Sequence, residues 1–213
     1  MTACVPEAAA LRLSGAAARL LVSAESGSAG ESAARATKRQ CPASGTMGDM
    51  AESSIHMLRV WHATQLSDRL DTATGSVREV TPGDVQTLGK LFWEAFGQGG
   101  VDGFDDALAA EAEARDTLAG KWGPVVWEAS LLALIQGEPA AASIVVFDDA
   151  HEMRPLLAFL VTNPDHQRRG IGSQLVHETI IRLNGREICE LHLAVDRDNP
   201  ARFLYERLGF AQA

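Results

Sequence analysis

Between Leu160 and Ser173 the chain reads Leu-Val-Thr-Asn-Pro-Asp-His-Gln-Arg-Arg-Gly-Ile-Gly-Ser. An apolar run ends at Thr162 and an amphipathic one opens at Gly170, so two glycines and two arginines fall on a strand-to-helix turn. Helix amino termini present unpaired N–H groups and partial positive charge, which suits a diphosphate. Gly170 and Gly172 let that backbone approach phosphate oxygens, and Arg168 and Arg169 add charge at the rim. A P-loop needs Gly-Lys-Ser/Thr where this chain has Gly172-Ser173-Gln174, and a dinucleotide fingerprint needs a third glycine where Leu175 stands. On spacing alone, the other reading is a plain strand-to-helix turn with solvated arginines.

Three further groups have side chains able to do chemistry. Tyr205 is the single tyrosine of the chain and shares a helical face with Ala201, Leu204 and Leu208, so it points inward. It reads either as a proton donor or as a core aromatic with a bonded hydroxyl. Glu190, His192 and Asp196 share one register of an alternating strand, and His192 titrates near neutrality, although strand histidines also serve structure alone. Cys189 lies beside apolar Ile188 with no partnering motif and reads as an inert thiol. The three cysteines are widely spaced with no CxxC pair, and the six histidines show no HxxxH spacing. Neither a disulfide framework nor a metal site is expected.

The elements that must hold these groups follow from periodicity. Ser76–Val80 reads as a strand, Thr81 to Asp84 as a turn, and Val85 to Phe96 as a helix whose apolar residues recur at helical spacing. A break over Gly97–Gly103 precedes a second helix, Asp105–Leu118. Strands Ala129–Ile135 and Ala141–Phe147 form a hairpin across Gln136 to Pro139, and Leu156–Thr162 is apolar on both faces and therefore central. Gly170–Leu183 is the next helix, ended by Asn184-Gly185 in residues that tolerate positive φ. Glu190–Asp196 is a strand, and Asn199 caps a last helix with Pro200 first and Gly209 as its stop. The order β-α-α-β-β-β-α-β-α defines a mixed α/β domain with room for only a stub after it.

Residues 1–74 are rich in Ala, Ser, Gly and Thr and cannot offset their ordering entropy by burial. They read as a disordered tail or a start placed too early, since Met47, Met50 and Met57 lie before the structured region. A short helix around Met57–Leu66 is the one element expected there. The chain is 46% hydrophobic and 22% charged, and its net charge of −9 falls entirely within residues 76–213, where 21 acidic face 12 basic residues. Such a domain lacks the basic surface expected of a nucleic-acid binder and suits cationic or neutral small partners. No apolar run is long enough to span a membrane, and Arg12 and Arg19 break the amino-terminal stretch as a secretory signal, so the expected location is the cytoplasm.

Gln167-Arg168-Arg169-Gly170-Ile171-Gly172 resembles the Q/R-x-x-G-x-G/A signature of the GNAT superfamily of N-acyltransferases, with Pro164 six residues before the first glycine. The stretch from Asn199 through Leu204-Tyr205-Glu206-Arg207-Leu208-Gly209-Phe210 looks like the family's second motif, about 30 residues on. The resemblance covers about residues 76–213. It implies a mostly antiparallel sheet with a splay between two central parallel strands and helices on both faces. It implies acetyl-CoA as co-substrate and a primary amine as acceptor. Backbone groups of Leu160, Val161 and Thr162 are then expected to hold pantetheine, and Gln167 with Arg168 through Ser173 (Arg169, Gly170, Ile171 and Gly172 between them) the pyrophosphate. Asn199 matches the family asparagine beside the cofactor, and Tyr205 the tyrosine that protonates the leaving thiolate.

Two departures stand out. Several family members carry a glutamate five residues before the asparagine, where this chain has Leu193-Ala194-Val195, so the general base is unassigned. Family members also continue through a further strand, and without it the edge of Glu190–Asp196 is expected to be open, either because the sequence is truncated or because a second copy completes the sheet. Asp102, Asp105 and Asp106 are expected to attract a cationic amine, with Gly97–Gly103 as a flap, whereas Glu111 and Glu113 read as a solvated face. The alternatives are a non-catalytic acyl-CoA sensor and an interaction module working through its amino-terminal tail.

Overall fold

The computed structural model describes residues 54–61, 75–97, 103–148, 152–197 and 199–213. Its elements are β1 (Ser54–Val60), β2 (Ser76–Glu79), α1 (Val85–Phe96), α2 (Ala107–Leu118), β3 (Leu131–Ile135), β4 (Glu138–Asp148) and β5 (Arg154–Thr162). They continue with α3 (Ile171–Asn184), β6 (Glu190–Asp196), α4 (Ala201–Arg207) and the two-residue β7 (Ala211–Gln212). The strands form one sheet in the order β2-β3-β4-β5-β6-β1-β7. Every neighbouring pair is antiparallel except β5 and β6.

Apolar residues cover both faces of the sheet. Leu175, Val176, Ile180 and Leu183 of α3, with Tyr205 of α4, pack on Leu157, Leu160, Leu191, Leu193 and Val195. On the other face Leu88, Leu91 and Phe92 of α1 and Ala110, Ala114 and Leu118 of α2 pack on Ile144, Val146, Phe159 and Val161. The two helices of that face lie so close that a Cβ on Gly89 would stand 2.6 Å from Glu111 Cα, which is why a glycine occupies the middle of α1. Asp84 enters α1 held by Arg78 at 2.6 Å and by the Thr81 backbone N–H at 2.8 Å. The hydrogen bond from Arg78 lowers its carboxyl to about 2.

The splay has a local cause. Ile144 pairs with Phe159 and Val145 with Leu157, so Ala158 is an extra residue on β5. An extra residue bends the strand that carries it. Parallel pairing of β5 to β6 is confined to Leu156 and His192, just before that bend, and the strands part beyond it. Ser130 Oγ serves the bulge from the other side, accepting from Val145 N at 3.0 Å.

The amino-terminal segment departs from expectation. Met57 belongs to a strand and not a helix, and residues 62–66 lie outside the described residues. Ile55 and Met57 alternate into the core with Trp61 behind them, a period of two that pairing with β6 stabilises over helix. Residues 54–60, read from the sequence as part of the tail, thus form a strand of the sheet. The remainder of that segment, residues 1–53 and 62–74, is outside the described residues. β1 also fills the slot beside β6 along seven residue pairs, from Ser54–Asp196 to Val60–Glu190. That edge of β6 is not open, and no second copy is needed to complete it. The stub after α4 is β7, which pairs with Met57 and Leu58 on the outer side of β1. At the end of α3, Gly185 keeps helical φ (−61) and the positive φ falls on Glu187 (62) instead.

Candidate active site

The turn between β5 and α3 is built by its own side chains. Asn163 Oδ1 accepts from Asp165 N at 2.9 Å, and Pro164–His166 form a single 3-10 turn. Gln167 Nε2 then donates back to the Thr162 carbonyl at 3.3 Å, closing the loop onto the strand. Gln167 thus positions the loop. Arg168 (φ 58) and Gly170 (φ 77) adopt left-handed backbone, which reverses the chain into α3. Gly170 is the N-cap of α3, and no side chain caps that helix. The first N–H groups of Ile171, Gly172 and Ser173 consequently face outward without a capping oxygen.

These groups border a cavity of about 570 Å³, within the range of roughly 300–1,000 Å³ usual for small-molecule sites. Leu160 and Thr162 of β5 form one wall, and His166, Gln167, Arg168 and residues 170–173 form the floor. Pro200, Ala201, Phe203, Leu204 and Arg207 of the α4 region close the far side. Arg169 is exposed but not on the wall.

Strand register divides the three β5 residues expected to bind through their backbone. Asn163 N donates to Ala140 O at 2.8 Å, which fixes the alternation of the β4–β5 ladder. Val161, two residues back, likewise turns its N–H and C=O to β4 and has neither to spare. Leu160 and Thr162 turn theirs into the gap between β5 and β6. The expectation for Val161 is corrected on that ground.

Tyr205 is fully buried, edge-on to Phe210 at 5.6 Å between ring centres, and outside the cavity wall. Its hydroxyl has no hydrogen-bond partner, and burial pushes it well above the usual phenol range. A buried hydroxyl left unpaired costs about 1–3 kcal/mol, so a ligand atom that accepts from it would relieve a standing cost. Asn199 is also off the wall; its Oδ1 accepts from Ala201 N at 2.9 Å, while the N-cap of α4 is Pro200 and not Asn199 as expected. Cys189 is disulfide-bonded, which corrects the reading as a free thiol.

On the sheet face opposite Tyr205, His192 lies where β5 and β6 part. Burial lowers its imidazole below the ordinary value, opposed by Glu190, whose Oε1 is 3.4 Å from His192 Nε2. Arg154 lowers it further and Asp148 raises it. Two residues along β6, Ala194 is paired directly with His56 of β1. Two imidazoles therefore flank Ala194, where a glutamate was looked for. His56 had no signal in the sequence, because its strand was read as tail. The other residues missed were His166, Phe203, Leu204 and Arg207; the spacing of Phe203 and Arg207, four apart on one helix face, was the available signal.

Of the acidic residues set aside for the acceptor, Asp106 accepts from Ala109 N at 2.8 Å and is the N-cap of α2. Glu111 pairs with Arg115, and Glu113 with Lys121, each at 2.7 Å. Asp105 is exposed. Asp102 and residues 98–101 of the expected flap lie outside the described residues. Among the described residues no three His, Cys, Asp or Glu side chains are grouped to hold a metal ion, and no helix is long and apolar enough to cross a membrane.

Residues 127–212 match the family model described as acetyltransferase (GNAT) domain. The ribosomal protein bS18-alanine N-acetyltransferase of Escherichia coli K12 is 39% identical over 80 residues, 36% of this chain and 51% of that protein. The protein of the same name from Salmonella typhimurium is 39% identical over 74 residues, 34% of this chain and 47% of its own. The chain spans about half the length of the curated relatives it matches. A GCN5-related N-acetyltransferase from Sphaerobacter thermophilus has the same fold, with TM-score 0.53 and 18% identity over 76% of this chain and 48% of that one. A conserved protein from Staphylococcus epidermidis is similar, with TM-score 0.53 and 16% identity over 75% and 58%. The two motifs and the strands of the splayed parallel pair lie within the residues that this family model matches.

Proposed function

We propose that the domain transfers an acetyl group from acetyl-CoA to a primary amine, in the cytoplasm. The observation that carries this is the uncapped amino terminus of α3 opening into the cavity that Leu160 and Thr162 of β5 line. The N–H groups of residues 171–173 and Arg168 suit the diphosphate, and Leu160 and Thr162 suit the amide groups of pantetheine. Acetyl-CoA supplies an activated thioester carbonyl to this gap.

The protein's part is proton management. A lysine-type amine has a pKa of about 10.4 and must shed a proton before it can attack. His192 is the group we assign to accept that proton, through water, because burial keeps it neutral and Glu190 stands beside it. Tyr205, on the opposite face and protonated at any working pH, donates to the departing sulfur. Acid and base thus approach from opposite faces of the sheet. The names of the curated relatives support the α-amino group of a protein as acceptor, and Asp105 adds attraction for a cationic amine.

Release of free thiol from acetyl-CoA, followed across small amines and alanine-initiated peptides, separates this reading from that of a sensor. The wild type is expected to release thiol with at least one acceptor. Tyr205→Phe should lose on the order of 10²-fold in rate with coenzyme affinity unchanged and stability equal or higher, since it removes an unpaired buried hydroxyl. Coenzyme binding without thiol release would favour the sensor.

A further inference from the structure

The side-chain amide of Asn163 serves two elements at once. Its Oδ1 accepts from Asp165 N at 2.9 Å and holds the turn before α3, while its Nδ2 donates to Glu94 Oε2 at 2.7 Å. An amide has one accepting and one donating end, so a single orientation of the side chain satisfies both partners. The second bond is short and charge-assisted, and it ties the turn to the end of α1, 69 residues away in the chain. Phe92 also stacks on Phe159 of β5, 4.8 Å between ring centres, which holds the same helix to the sheet. Apolar contact of that kind is non-directional, whereas the Asn163–Glu94 bond fixes where α1 ends relative to the turn. Glu94 Oε1 lies 3.6 Å from Lys90 Nζ, but that lysine is 72% exposed and such a pair contributes little. Just past Glu94, Gly97 O accepts from Phe104 N at 3.1 Å, which closes the connection to α2 at its base, next to Asp105.

We infer that Glu94 is a positioning residue for the acceptor: through Asn163 it sets the end of α1, and with it Asp105, against the turn assigned to the coenzyme. The inference rests on the coenzyme reading above and adds the contact that registers one substrate's wall against the other's. Glu94 acts through Asn163 and not on a reacting atom.

Asn163→Asp separates the two bonds, because a carboxylate still accepts from Asp165 N yet repels Glu94. Adding Glu94→Gln restores the pair with its polarity reversed, and the charge at position 163 is the same in both variants. Amide hydrogen exchange of the full chain, with and without saturating acetyl-CoA, reads the link without an acceptor. In the wild type acetyl-CoA should slow exchange at Gly97, whose N–H donates to Trp93 O at 2.9 Å, by on the order of tenfold. Asn163→Asp should lose that slowing while still binding acetyl-CoA, and the double variant should regain it. With an alanine-initiated peptide as acceptor, Asn163→Asp should raise its KM by on the order of tenfold with a smaller change in kcat, and the double variant should lower KM again. Slowing that persists in Asn163→Asp overturns the inference, as does a wild type without slowing or a double variant that behaves like the single. Each of these leaves the coenzyme reading standing. Failure of the wild type to bind acetyl-CoA removes both.

Discussion

His192 becomes a candidate base through its surroundings more than through its type. The imidazole lies on β6 at the last parallel pair with β5, and its charged neighbours are Glu190 on the same strand, Arg154 on β5 and Asp148 on β4. Because burial lowers its pKa, the neutral form persists below the ordinary value of 6.5 and is lost only as pH falls further. Activity is therefore expected to stay level through neutrality and to decline below pH 6.5. His192→Gln should remove that acid limb and lower kcat at pH 7 by on the order of 10²-fold; a pH–rate profile with an unchanged acid limb would remove His192 from the mechanism. At this scale the sequence was informative where a motif carried the chemistry. Gly170 and Gly172 of the motif line the cavity, and Tyr205 is buried, as its helical face in the sequence implies. Val161 was misassigned because backbone direction depends on ladder register, which spacing along one strand does not disclose. His56 stayed hidden because cross-strand partners are separated by more than 100 residues.

The elements of the described domain follow the hydrophobic periods of the chain closely. α1, α2 and α3 lie within two residues of their expected starts, since each has a continuous apolar stripe and a polar break before it. β1 is the exception. Seven residues with an alternating pattern can be read as helix or strand, and burial of Ile55, Met57 and Trp61 against β6 decides between them. Those three side chains are each at most 6% exposed; fully burying such a side chain stabilises by about 1.5–3 kcal/mol. Their combined contribution is a large share of the ~5–15 kcal/mol that holds a domain together. A chain beginning at residue 75 should therefore lose its cooperative thermal transition or aggregate through the bared edge of β6, whereas one beginning at residue 50 should keep the transition of the full chain. Equal melting temperatures for the two would show that β1 contributes nothing to the fold.

Across the whole molecule, one bent strand organises the site. The extra residue Ala158 turns β5 away from β6, which opens the gap, turns the backbone of Leu160 and Thr162 towards it, and aims the chain at the turn where α3 begins. α3 starts without a side-chain cap, so its amino terminus is available to an anion. A Cβ at Gly172 would meet only Thr162 Oγ1 at 3.5 Å and Leu160 Cδ2 at 3.8 Å, ordinary contacts that the fold accepts. A carboxylate there would suit the helix dipole and repel a diphosphate, which separates folding from binding in a single substitution. Calorimetry of acetyl-CoA with the wild type and with Gly172→Asp is the most direct test. The wild type should bind in the micromolar range, and the variant should melt at the same or a higher temperature while losing more than about tenfold in affinity. Undiminished affinity in a folded Gly172→Asp protein, or no heat from the wild type at millimolar acetyl-CoA, would contradict the assignment.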